Sequence, residues 1–255
     1  MTAIPSSTMK VIFLMGFFAV SIRVAGSSRI IGGHEAAPHS RPYMVYLLMM
    51  GKDIGMKNCG GFLIREDFVL TAAHCNAENI TAILGAHNIM SPENSQQIIN
   101  VVKAIPFPAY CRSGPNDDIM LLKLEKKATL DEKVAILPLS QNKERLKVGS
   151  TCSTAGWGLV ESEGSHMVSK LQEVNMSVFR RLCAAKWGAM FTEYMTCASS
   201  PMKGGCNGDS GGPLVCDGVA HGVLSFSSEP CGYFPTVFMK ISMYTDWITR
   251  EMGRH

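Results

Sequence analysis

From Ile30 onward the chain is cut into short apolar runs, each closed by Gly, Pro, Asn or Ser. They read YMVYLLMM, GFLI, DFVLTA, TAILGA, IINVVKAI, DIMLLKL, VAILPL, LVCDGVAHGVLSF and TVFMKI. Runs this short, rich in Val, Ile and Phe, predict β-strands. Many short strands with few helical stretches predict an all-β barrel or sandwich. Only the C-terminus carries a helical stripe: in ISMYTDWITREMG, Ile241, Tyr244, Ile248 and Met252 recur at helical spacing, with Gly253 as the expected stop. That stripe, Trp157 and Trp247 are expected in the core.

The first residues differ. Lys10 precedes VIFLMGFFAV (residues 11–20), and the small residues of VAG follow. A basic flank, a short apolar core and small residues are the layout of a secretory signal, and the run is too short to span a bilayer. Residues 1–26 are expected to be this signal peptide, and Met9 would serve equally well as its start. Nine cysteines fit an exported, oxidised protein. None stands in a paired C-x-x-C set, so no zinc is expected. Nine is odd, so at least one cysteine lacks an intrachain partner, and sequence alone leaves the pairing of the others open.

The formal charge of +3 misleads. Lys10, Arg23 and Arg29 all precede Ile30, where there is no Asp or Glu, so the remainder carries no net charge. Bulk charge gives no support to a nucleic-acid role. With 46% hydrophobic and 18% charged residues, the composition is that of a globular protein able to bury one large core or two smaller ones.

GGCNGDSGGPLVC (residues 204–216) places Ser210 among five glycines. Such a run costs backbone entropy unless unusual angles or close approaches require it. It is either a nucleophile held in a tight turn or a Gly/Ser surface turn. A nucleophilic serine needs a base, and the base an orienting group. His74 ends the strand-like DFVLTAAHC beside Cys75, and Asp118 leads into IMLLKL. A carboxylate entering a buried strand needs a donor, and an imidazole N–H would supply one. Residues 208–212 also fit G-x-S-x-G, the nucleophile elbow of α/β-hydrolases. That fold needs a helix after the serine and its acid and base later in the chain. GGPLVC follows instead, so this reading is rejected.

LTAAHC, DIMLLKL and GDSGGPLV, in the order His, Asp, Ser, resemble the three active-site strings of the chymotrypsin-like serine proteases. The resemblance runs from Ile30 to about Gly253. It implies two six-stranded antiparallel β-barrels with a C-terminal helix, residues 30–255 forming one peptidase domain with a barrel boundary near residue 145. It implies catalysis by Ser210, His74 and Asp118, with an oxyanion hole from the N–H groups of Gly208 and Ser210. It implies no cofactor and no metal. SSRIIGGHE marks an expected cut between Arg29 and Ile30, residues 27–29 being a short activation propeptide, after which the Ile30 amine would pair with Asp209. The expected disulfides are Cys59–Cys75, Cys152–Cys216, Cys183–Cys197 and Cys206–Cys231, leaving Cys111 free for a possible homodimer.

IIGGHEAAPHSRPYMVYL resembles the mature start of the granzymes, mast-cell chymases and neutrophil elastase relatives, and VLSFSSEPC resembles the pocket string of granzyme M. Arg29 stands where granzymes usually carry an acidic dipeptide, so of the two activators the resemblance implies, a trypsin-like or a dipeptidyl protease, the trypsin-like one is favoured. The pocket residues implied are Gly204 and Gly205 at the floor, with Ser225, Phe226, Ser227 and Thr236 as walls. They lack a carboxylate and imply cleavage after Met, Leu or Val. The resemblance also implies protein substrates, serpin-type inhibitors and secretion or granule storage. Non-catalytic azurocidin-like binding is disfavoured, because all three triad residues are present and the charge is balanced. A factor D-like or trypsin-like protease is disfavoured by the missing acidic floor. Asn79-Ile80-Thr81 and Asn175-Met176-Ser177 are N-glycosylation sequons.

Overall fold

The computed structural model describes residues 33–141, 146–158, 168–200, 204–227 and 235–255. Strand β1 (His34–Glu35) is followed by β2 (Met44–Gly51), β3 (Gly55–Arg65), β4 (Phe68–Thr71), β5 (Asn79–Leu84), β6 (Gln97–Pro106) and β7 (Met120–Leu124). Strands β2 to β7 close into one antiparallel barrel in the order β2-β3-β4-β7-β6-β5. Then come β8 (Thr151–Gly156), β9 (Gln172–Phe179), helix α1 (Arg181–Trp187), β10 (Met195–Ser199), β11 (Pro213–Cys216), β12 (Val219–Phe226), β13 (Thr236–Lys240) and helix α2 (Thr245–Arg254). They run β9-β10-β13-β12-β11-β8, and β8 also pairs with β9, which closes a second ring. The fold is the expected one: two six-stranded antiparallel barrels and a C-terminal helix.

The first barrel is filled by β-branched, aliphatic and aromatic side chains. Val45, Leu47, Phe62, Leu63, Phe68, Val69 and Leu70 are fully buried, each stabilising the fold by about 1.5–3 kcal/mol relative to exposure. In the second, Leu214, Leu224 and Phe238 play the same part. Trp157 and Trp247 are buried as expected.

Strand β1 lies apart from the barrel that follows it in sequence. It pairs with β9, His34 opposite Glu173 and Glu35 opposite Gln172, so this strand is tied to the second barrel. The C-terminus crosses the other way. Tyr244 and Trp247 pack edge-on against Phe107 at 5.0 and 5.3 Å between centroids, and Arg65 donates to the Met252 carbonyl at 2.7 Å.

Three expectations from the apolar runs need correction. VAILPL is no strand: Ala135 N–H bonds Pro42 O, Leu137 N–H bonds Leu63 O and Pro138 O accepts from Ala220. Val134 and Leu137 are buried, so the run is apolar because it is a covered connection between the barrels. Gly253 does not stop the last helix, which continues to Arg254. The helical stripe is also split, since Ile241 begins a separate 3₁₀ turn, Ile241–Met243. Strands β8, β9 and β10 and helix α1 were not among the elements read from the runs. The signal, the propeptide and the cut at Arg29 and Ile30 lie outside the described residues.

Candidate active site

The strand β4 ends at Thr71 and the chain tightens into a 3₁₀ turn, Ala73–Cys75. The Cys59–Cys75 disulfide anchors that turn to β3. His74 stands at its centre. Its backbone N–H donates to Asp118 Oδ1 at 2.8 Å, and its Nδ1 lies 2.7 Å from Asp118 Oδ2. Asp118 is 3% exposed and also accepts from Ser225 Oγ at 2.5 Å. Three donors offset the desolvation of this carboxylate. An ionised carboxylate only accepts, so the imidazole proton sits on Nδ1 and Nε2 keeps a lone pair.

Ser210 is half-buried in the turn that enters β11. Its carbonyl accepts from Gly60 N–H at 2.8 Å, and Thr71 Oγ1 donates to Gly60 O at 2.8 Å. These bonds dock the serine turn against the first barrel, beside His74. Gly211 has φ +83°, and a Cβ there would lie 2.1 Å from Thr71 Oγ1. Gly208 has φ +95°, and a Cβ would lie 2.9 Å from both Asn58 Nδ2 and Gly158 Cα. The glycines are therefore required by backbone angle and by contact at once. Among the described residues, no acceptor engages the N–H of Gly208 or Ser210. His74, Asp118 and Ser210 line one cleft of about 340 Å³, together with Tyr110, Arg112, Phe226 and Ser227.

A serine, an imidazole with a fixed tautomer and two unspent backbone donors form a site fitted to acyl transfer. Among the described residues, the only cluster with metal-ligand spacing is Cys59, His74 and Cys75, and its two sulfurs are bonded to each other. The trypsin family model matches residues 30–248. The chain belongs to the trypsin family. It is 45% identical to rat granzyme B over 250 residues, 96% of this chain and 100% of the relative. It is 46% identical to sheep mast cell protease 3 over 236 residues, 90% and 91% of the two chains. The solved structure of GrC superposes with a TM-score of 0.84 at 40% identity, covering 88% of this chain and all of that one. This trypsin-family chain is thus a serine endopeptidase of the granzyme and chymase branch.

The structure places the other residues singled out in the sequence as follows. Asp209 is 1% exposed. It accepts from Gly158 N–H at 2.8 Å and Cys206 N–H at 3.0 Å, and burial pushes its carboxyl up to about 6. Among the described residues no cation pairs with it. Gly156 and Gly158 face it, and a Cβ on Gly156 would come within 2.2 Å of Asp209 Oδ1. Gly204 and Gly205 are buried. A Cβ on Gly205 would meet Leu224 Cδ1 at 2.5 Å and Thr236 Cγ2 at 3.7 Å. Thr236 is 1% exposed, and among the described residues its hydroxyl has no hydrogen-bond partner. Ser225, expected as a pocket wall, spends its hydroxyl on Asp118 and touches the cleft as well.

Three expected disulfides are present: Cys59–Cys75, Cys152–Cys216 and Cys183–Cys197. Cys206 is also disulfide-bonded; its expected partner Cys231 lies outside the described residues. Cys111 is free and exposed, and its bonds with Ser113 hold the thiol below its usual range. Asn79 and Asn175 are both exposed. Sequence reasoning missed Asn58, whose Nδ2 donates to Gly208 O at 3.4 Å, and the Gly158 donor to Asp209. The GWG string at residues 156–158, glycines flanking a Trp, was the available signal for the second.

Proposed function

We propose that the protein hydrolyses peptide bonds after medium-sized uncharged residues such as Met, Leu or Val. In this reading Ser210 Oγ attacks the scissile carbonyl and passes its proton to His74 Nε2. Asp118 holds the imidazole and stabilises the imidazolium. The developing oxyanion is met by the N–H groups of Gly208 and Ser210, each such donor being worth a few kcal/mol of transition-state stabilisation. His74 then protonates the leaving amine, and water enters by the same route to release the acyl group from Ser210. The observation that carries this is the 2.7 Å His74–Asp118 contact in the same cleft as Ser210.

The specificity rests on the chemistry of the floor. Gly204 and Gly205 offer no carboxylate, so a buried Arg or Lys would lose its hydration without a partner. Leu224 and the Thr236 methyl close on Gly205, which favours a flexible apolar side chain of medium length. Activation is by a cut after Arg29, by a trypsin-like enzyme. The freed Ile30 ammonium would then supply the cation that Asp209 lacks. Two observations support this: β1 is tied to β9 beside β8, and the missing side chains of Gly156 and Gly158 let the buried Asp209 carboxylate sit directly against the chain there. Secretion or granule storage, serpin-type inhibitors, glycans on Asn79 and Asn175, and pairing through exposed Cys111 complete the reading.

A fluorophosphonate probe tests it. The Arg29-cleaved protein should be labelled on Ser210, and the uncut chain and the Ser210→Ala variant should not. Equal labelling of cut protein and Ser210→Ala would refute the assignment.

A further inference from the structure

One cleft residue has no part in the chemistry above. Apart from His74 and Asp118, which bind each other, Arg112 is the only charged group among the described residues lining the cleft. It is exposed, and its one hydrogen bond goes from Nη2 to the Asn76 carbonyl at 3.4 Å, two residues past His74. Arg112 also borders an adjoining cavity of about 330 Å³, whose other charged members are Lys52, Asp53 and Glu78. None of them is paired with it, and it takes part in no ion pair among the described residues.

A guanidinium presents five N–H donors in a planar fork that matches a carboxylate. Here four donors are unspent. The group shares the cleft with Tyr110, Gly114 and Pro115 and bonds the chain two residues past His74. We infer that Arg112 is a specificity-determining residue that selects substrates carrying Asp or Glu within about three residues of the scissile bond, a span of roughly 10 Å of extended chain. The inference rests on the peptidase reading above and adds a second requirement to it. The side chain entering the floor pocket is uncharged, and a neighbour of it is acidic.

The test uses the full protein cleaved after Arg29 and titrated for active sites. Peptides share Met before the scissile bond and carry Glu, Gln or Lys at one flanking position at a time. At one or more positions Glu should exceed Gln by about fivefold in kcat/KM, and exceed Lys by about tenfold or more. The preference should shrink in about 0.5 M salt. Arg112→Glu should invert the Glu-to-Lys ratio, while Arg112→Lys should keep its direction at reduced size. Ratios within about twofold at every position, or an unchanged ratio in Arg112→Glu, would overturn the inference while leaving the peptidase reading standing. If even the Gln peptides resist cleavage, the peptidase reading falls and this inference falls with it.

Discussion

Asp118 receives three hydrogen bonds, and the least obvious comes from Ser225, 107 positions away. Removing that hydroxyl leaves a buried carboxylate oxygen short of a donor, at a cost of about 1–3 kcal/mol. Ser225→Ala should therefore lower kcat/KM by roughly tenfold, read in a peptide assay, with KM changed less than kcat. Asp209 makes a different prediction. Its carboxyl, raised by burial to about 6 in the uncut chain, lies above the ordinary value of 3.8 that the unfolded chain would show. The folded state thus holds a proton that the unfolded state has lost. The resulting stability is fully present below the unfolded value and is lost as pH rises through about 6, on the order of 3 kcal/mol in all. Urea midpoints of the uncut chain should fall between pH 4.5 and 7.5, and Asp209→Asn should flatten the fall. His74, Asp118 and Ser210 were legible because each sits in a short string whose residues constrain one another locally. Ser225 and Asn58 were not, because their contacts exist only once distant strands are packed together.

At the level of elements, the C-terminal segment adds a hydroxyl bond to its ring contacts with the first barrel. Tyr244 OH donates to Asp117 Oδ1 at 2.9 Å, and Asp117 holds φ +55°, an angle L-residues adopt at some cost. Burial and the neighbouring Asp117 push the Tyr244 hydroxyl up, so it remains a donor throughout the working range. Tyr244→Phe should destabilise the protein by about 1–2 kcal/mol, seen as a lower thermal midpoint. It should also reduce kcat, because Asp117 precedes Asp118. The strands of the first barrel were readable as apolar runs, since both β4 and β7 are covered on each face. Those of the second were less so. Strand β9 alternates buried and exposed positions, but its inward residues include Gln172, and β8 is built from Thr, Cys, Ser, Ala and Gly. VAILPL misled because burial, which apolar composition reports, came from packing between barrels rather than from pairing in a sheet.

The whole molecule places its cleft where the two barrels meet. The first contributes His74 and Asp118, the second contributes Ser210, and Gly60 N–H to Ser210 O joins them. Both barrels must therefore keep their relative position for any activity to appear. Cys59–Cys75 ties the histidine turn to β3 and Cys152–Cys216 ties β8 to β11. Reduction should abolish activity before it melts the fold, measured as peptide hydrolysis against far-ultraviolet circular dichroism. The two-barrel architecture could be expected from the active-site strings once their family resemblance was seen, whereas apolar periodicity alone reached only an all-β barrel or sandwich. The central claim is an acyl-transfer site whose pocket accepts an uncharged side chain. Its most direct test is kcat/KM of the Arg29-cleaved enzyme on peptides that differ only in the residue before the scissile bond. Met, Leu and Val should fall within about tenfold of one another and Arg lower by roughly a hundredfold or more. Faster cleavage after Arg than after Met or Leu would contradict it.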